Sequence, residues 1–507
     1  MPLDSRLTLL AGAAASALFA CAASADVVIS SDPTQNMTCS AGLCSPTDVH
    51  AVLNVTDLTN MLASGDVIIT NADKKRKRTK YVGNIDIMVP LSWTSSQKLT
   101  LEPYYYPISI AAPITVMGQG GLVFYGSWTL AAGASVTFWD LNSYFAVGSS
   151  QYVLAADLPT LAIDIATNPK GYFALASDYD ASADIFRKAP IPSLQGQLLG
   201  LGHTIFNLTI PRGAKGCEGL VSTLGYENYI RDIGLRAVTV KSDSKSTAVG
   251  TLIGCSQGFV SNIWADGTVS GASTATVGGI VGITTSYGYL QNARANVAVT
   301  GGQAGGAMGE NDSNVYEVSA TGPVNGNINS GGLIGLNEGY LQDSYAGASV
   351  TGNNNTGGLV GSNHGNISNT YSTGSVQGNS GMAGGFVGFN AGTIATSYST
   401  GAVTGEQGYT GGFVGDDPLE QVSFGYWDTD TSGISDPEQG AGFPADDPGI
   451  TGVTTAQLQS KLPYGFDRQY WRIDSNVNGG LPYLRNNPPP QGGPKHHPSR
   501  TPTRQRH

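Results

Sequence analysis

Histidine is scarce in this chain, with six among 507 residues, and three of them (His496, His497 and His507) fall in the C-terminal tail. Of the rest, His203 sits in an apolar strand-like motif and His364 in a repeated turn. The patterns HExxH and GxSxG and a Walker-type phosphate loop are all missing. Metalloprotease, serine-hydrolase and P-loop chemistry therefore find no motif to rest on. Cysteine is also sparse, at five, and no spacing matches a zinc site. After the N-terminal leader no segment approaches 18 uninterrupted apolar residues, so the sequence offers no membrane helix. In the middle of the chain a 3.6-residue apolar period is lacking, which argues against a helical body.

What is abundant is glycine, and it recurs on a period. Gly-Gly-x-x-Gly begins at Gly278, Gly305, Gly331, Gly357, Gly384 and Gly411, at steps of 26 or 27 residues. A fixed period of that size marks a unit that buries its apolar side only by stacking on its neighbours. The unit at 357–381, GGLVGSNHGNISNTYSTGSVQGNSG, has short apolar stretches at Leu359-Val360, Ile367 and Ser375-Val376. Gly, Asn and Ser separate them, residues that suit turns and left-handed backbone. Three strands and three bends per unit predict one coil of a right-handed parallel β-helix. At about 4.8 Å per rung, six such coils rise roughly 30 Å.

Two columns follow from the register. Asn337, Asn363 and Asn390 each precede a turn glycine by two residues, so stacked amides are expected to bond along the axis. Tyr345, Tyr371 and Tyr398 each precede a strand valine by five, and the same count back reaches Ser319, Arg294 and Trp264. The tyrosines read either as stacking that holds the coils in register or as an exposed sugar-binding strip.

The unit GGLVGxNxGxIxxxYSTGxVxG resembles the GLUG motif of large bacterial surface proteins, among them filamentous-haemagglutinin-like adhesins and some streptococcal IgA peptidases. Further stretches resemble the same haemagglutinin-type family: LTL at 99–101, IAAPI at 110–114, GYFALASDYDA at 171–181, GLGHTIFNLTI at 200–210, and the ending from GYWD at 425–428 through Trp471 to GLPYL at 480–484. Together they cover most of the chain beyond about residue 80. The resemblance implies a parallel β-helix in an exported, adhesin-like protein. It transfers no catalytic residue, because the part shared with IgA peptidases is the repeat.

The first 25 residues read as a secretory signal, with an apolar core at 7–20 and small residues at 23–25, so cleavage is expected before Asp26. Cys21 offers the alternative of a lipid anchor. Cys39 and Cys44 are close enough to form a disulfide in an exported chain. Cys217 and Cys255 fall in different coil columns, which leaves open whether they pair or stand as unpaired core residues.

The net charge of −11 is unevenly spread. Six basic residues lie at 74–80, and four more, Lys495, Arg500, Arg504 and Arg506, follow residue 486. Setting those ten aside leaves 16 basic against 37 acidic residues, a body near −21. Such a rod repels nucleic acid and anionic membranes. The run at 74–80 reads as a solvated loop.

Along the chain we expect an N-terminal cap at 26–85, including a short helix capped by Thr56, then irregular coils at 86–217. A helical insertion at 157–167, with Leu158, Leu161, Ala162 and Ile165 on one face, should pack against those coils. Regular coils at 218–415 precede a C-terminal cap at 416–485. Within that cap, Thr454 should start a helix that ends at Pro463, and 471–484 should form a strand and turn. The Pro-rich basic tail at 486–507 reads as disordered.

Three candidate sites remain. Asp428, Asp430 and Ser432 alternate before Gly433 as a calcium loop begins, although Gln439 stands where a closing Glu is expected. Calcium is the one cofactor the sequence suggests. Asp178, Asp180 and Asp184 form an acidic cluster that could divide acid and base roles, or could serve as a turn in which Asp bonds its own backbone. The tyrosine column is the third. The sequence reading is an exported non-catalytic adhesin-like rod that binds glycans or host-matrix surfaces. Its rivals are a β-helical polysaccharide lyase or glycosidase and a structural envelope or biofilm protein. A lyase would need rows of Asp, Lys or Arg on adjacent coils, whereas the repeats offer mainly Gly, Asn, Ser and Thr.

Overall fold

The computed structural model describes residues 26–72, 83–211, 216–242, 246–406 and 408–490. The signal segment with Cys21, the basic run at 74–80 and the tail beyond residue 490 lie outside the described residues. The chain is an all-β parallel solenoid of about 15 turns, consistent with the right-handed coil expected.

There are two stacks of coils. In the first, each turn contributes three short strands, as in Ile108–Ile110, Ile114–Val116 and Gly121–Phe124. These pair in parallel with their counterparts one turn before and after. Alternate residues point inward, and Ile108, Ile110, Ile114, Val116, Leu122 and Phe124 are all fully buried. The segment expected to be an N-terminal cap at 26–85 also contributes strands to this stack. Val27–Ser30 sits between Ala51–Asn54 and Ile85–Ile87 in one sheet. Helix α1 (Val55–Leu62) covers the end of the stack with Leu58 and Leu62, and its N-cap is Asn54 rather than Thr56. The Asn54 Oδ1 accepts from the Thr56 amide at 2.8 Å.

Strand Tyr144–Val147 then turns back antiparallel to Ser150–Ala155, and the second stack begins. Helix α2 (Leu158–Thr167) follows, capped by Asp157, with Leu158, Leu161 and Ile165 buried. The second stack has a ten-stranded sheet from Ile191–Leu194 to Ala441–Phe443 and an eight-stranded sheet from Gly216–Glu218 to Thr410–Gly411. A third, longer face runs through Tyr229–Lys241, Phe259–Ser270 and Tyr289–Gly301 to Val422–Asp428. The repeat holds in register: Val281, Met308, Ile334, Val360, Val387 and Val414 stack in one inward column. The paired glycines turn the corner between two sheets. A Cβ on Gly331 would strike the Ile334 carbonyl, and one on Gly332 would strike that of Gly358. No side chain fits there.

The asparagine ladder is present and longer than the sequence showed. Asn311, Asn337 and Asn363 each donate from Nδ2 to the next Oδ1 at 2.7 Å. Asn390 donates to Asp417 Oδ1 at 3.0 Å and ends the row. Cys39 and Cys44 form the expected disulfide. Cys217 and Cys255 are bonded as well, which answers the question their column positions left open. They do occupy different columns, one pairing with Ala248 and the other with Thr223. The tight corner at Gly219 brings the two sheets together, so their Cα atoms are 5.6 Å apart.

Candidate functional site

The tyrosine column stacks as the register requires. Tyr345 and Tyr371 lie 4.8 Å apart and 5° from parallel, and Tyr371 and Tyr398 lie 5.1 Å apart at 2°. All three point away from the coil interior yet are buried, because the C-terminal segment folds back along the rod over them. Helix α3 (Thr455–Ser460), capped by Thr454 and Gln457, supplies Leu458. Phe466, Trp471 and Leu484 complete the cover. Tyr398 donates its hydroxyl to the Pro482 carbonyl at 2.6 Å, and Asn487 reaches back to the carbonyls of Val318 and Asp343. Burial raises the phenol pKa values of Tyr345, Tyr371 and Tyr398. The reading of this column as a sugar-binding strip is therefore corrected. It is the seam that fastens the C-terminal segment.

Asp428, Asp430 and Ser432 serve the same segment. Asp428 Oδ2 accepts from the Thr455 hydroxyl at 2.6 Å, and Asp430 Oδ2 accepts from the Thr455 amide at 3.0 Å. Ser432 bonds the carbonyl and amide of Ile434. Among the described residues no cluster of three or more His, Cys, Asp or Glu could hold a metal.

The acidic cluster is likewise scaffold. Asp180 Oδ1 accepts from the Ser182 amide and from Asn207 Nδ2, and Tyr179 donates to Asp184. Asp178 accepts from the Thr204 amide at 2.9 Å and stands 3.3 Å from His203 Nδ1. Partial burial raises the Asp178 pKa, but the bonds from His203 and Thr204 outweigh it and hold the carboxyl below its ordinary range.

His203 points to another part of the molecule. Its Nε2 donates to the Val136 carbonyl at 2.8 Å, and Arg231 Nη2 donates to the Trp128 carbonyl at 3.0 Å. Both acceptors lie on the last coil of the first stack. These side chains block an open strand edge where the second stack leans against the first.

Two hollows lie side by side at this junction, separated by the bend at Asn262. One, of about 260 Å³, is lined by Trp128, Tyr152, Tyr229, Arg231, Phe259 and Tyr289, among others. The Arg231 guanidinium sits 4.3 Å over the Trp128 ring while its Nε bonds Asp232 at 2.6 Å. Phe259 and Tyr289 are stacked at 4.8 Å, and beyond them Tyr226 and Tyr287 meet edge to face at 5.2 Å, both exposed. Burial raises the Tyr152 and Tyr229 pKa values, so both phenols stay protonated. The other hollow, of about 280 Å³, lies between the turn at 130–134 and Asn262, Ile263, Trp264, Asn292 and Arg294.

Aromatic faces beside amide, hydroxyl and guanidinium donors can hold a ring that has an apolar face and polar edges. The signal for this strip was in the sequence. Tyr229, Phe259 and Tyr289 recur at 30-residue steps, and register places them in one outward column. That longer period differs from the 26- or 27-residue step of the regular coils.

Comparison with known proteins adds a partial likeness and no assignment. No family model matches the chain. A stretch of 140 residues is 34% identical to halomucin of Haloquadratum walsbyi, covering 25% of this chain and 2% of halomucin's length. Among solved structures, a candidate immunoglobulin A1 protease from Bacteroides ovatus aligns with a TM-score of 0.35 at 16% identity, over 66% of this chain and 92% of that one. An IgA1 protease aligns with a TM-score of 0.34 at 18% identity, over 53% of this chain and 21% of the other.

Proposed function

We propose that this is an exported, non-catalytic, adhesin-like protein whose β-helical rod presents the junction hollows to glycans on a cell or matrix surface. The observation that carries this reading is the outward column Tyr229, Phe259 and Tyr289 beside Arg231 and Trp128, a concave aromatic surface between two stacks. Two disulfides suit an oxidising compartment outside the cytoplasm. No helix among the described residues is long and apolar enough to cross a membrane. The carboxylates that suggested acid–base chemistry bond scaffold groups, which favours binding over turnover. A glycan array probed with the secreted chain tests the proposal. A reproducible set of bound glycans, weakened about tenfold or more by Tyr289→Ala, is expected for loss of a stacking ring. An array with no bound glycan, or binding indifferent to substitutions in either hollow, would sink it.

A further inference from the structure

The hollow beside the 130–134 turn carries a more specific message. Arg294 lies on its rim, exposed, and forms no ion pair among the described residues. The acidic groups on neighbouring strands do not quench it. Asp266 faces Arg236 and accepts the Ala237 amide, and Glu317 in the next coil's bend makes no bond to it. In an acidic chain a solitary arginine in a concave site is a recognition group for a carboxylate, which its fork geometry matches.

Two neighbours define the rest of the ligand. Trp264, one coil from Arg294 in the same register column, is half-buried, and its Nε1 has no hydrogen-bond partner among the described residues. The indole lies over Gly234 on the preceding coil, where a Cβ would collide with it. Asn262 and Asn292 form a ladder whose direction is fixed at its root. The Asp232 carboxylate only accepts, so Asn262 must turn its NH2 toward it. The Asn262 Oδ1 then accepts from Asn292 Nδ2 at 3.4 Å, leaving the Asn292 Oδ1 as the free end.

The geometry points to a sugar residue bearing one carboxylate, of the uronic or sialic acid kind, and we propose it as the ligand of this hollow. The inference rests on the glycan-binding reading above. Arg294 takes the carboxylate, Trp264 underlies the ring and donates from Nε1, and Asn292 Oδ1 accepts from a hydroxyl. A polyanion is disfavoured, because Arg294 is the sole cationic residue lining the hollow and the chain carries a net charge of −11.

Calorimetry on the full secreted chain tests this with two matched pairs. One is a trisaccharide ending in glucuronic acid and its carboxyl-reduced analogue; the other is sialyllactose and lactose. In one pair the acid should bind about tenfold tighter or more, as for a charge-assisted contact. Arg294→Gln should abolish that preference, and Arg294→Lys should restore part of it. Melting of Arg294→Gln at the wild-type temperature establishes that the fold is intact. Equal affinity for acid and neutral partners, or a preference that survives Arg294→Gln, would overturn the inference and leave glycan binding standing. If no glycan of any kind binds, the broader reading falls with it.

Discussion

Thr396 shows what a single residue must tolerate in this fold. The bend in the third face places Asn262, Asn292, Glu317, Asp343, Asn369, Thr396 and Phe424 at positive φ, between 47° and 56°. Asn and Asp accept that conformation, whereas a β-branched residue is strained in it. Thr396 also donates to Asn369 Oδ1 at 2.7 Å, a contact an asparagine amide can supply. Thr396→Asn should therefore stabilise the protein by about 1 kcal/mol, read from urea unfolding. Asp417 is a second outlier, standing at the end of the asparagine ladder. Burial, together with the neighbouring Asp447 carboxyl, pushes its pKa up from 3.8 to about 7. An amide would continue the ladder without a charge to bury. Asp417→Asn should raise the melting temperature at pH 8 and raise it less at pH 5.

At the scale of elements, the parts held by long-range contacts can be separated from those held by local pattern. The C-terminal segment is fastened by Trp471, fully buried against Tyr371 and Tyr398. Trp471→Ala should cost about 3–5 kcal/mol of the segment's attachment. Limited proteolysis should then cut within 454–490 while the coils stay resistant. The Cys217–Cys255 bridge closes a separation of 38 residues. Replacing both cysteines with serine should lower stability by about 2–4 kcal/mol in chemical denaturation.

These same elements show where sequence reading reached and where it stopped. The coils, helix α2, helix α3 and the asparagine ladder were legible, because each depends on spacing within one or two turns. The burial of the tyrosines was not, because it depends on Trp471, about 100 positions from Tyr371 along the chain. The Cys217 pairing stayed open for a related reason, since column membership ignores how sharply the glycine corner folds one sheet onto the next. The aromatic column at 30-residue steps was in the sequence, but the concave junction around it was not, because it depends on the antiparallel reversal at Ser150–Ala155 that sets one stack against another.

Across the whole molecule, carboxylates pull stability in two directions with pH. Burial raises Asp86 and Asp343 to about 6, and Asp417 to about 7, against an ordinary 3.8. Stability from these groups is complete below 3.8 and is lost as pH rises through 6 to 7. For Asp178, held below 3.8, the opposite applies: its contribution is present above that value and is lost as pH falls. Melting temperature should thus peak near pH 4 and fall as pH rises to about 7. A melting curve still rising beyond pH 7 would contradict this assignment of the buried carboxylates.

The central claim is that the junction between the two stacks is the binding surface. Affinity for the best array glycan, measured by calorimetry on the wild-type chain, Tyr289→Ala, Trp264→Ala and Tyr371→Ala, tests it directly. Tyr371 is the control, an aromatic residue of the same scaffold sealed beneath the C-terminal segment. Loss of affinity in the two junction variants, with wild-type affinity in Tyr371→Ala, is the predicted result. Undiminished binding in both junction variants would show that the ligand sits elsewhere on the rod.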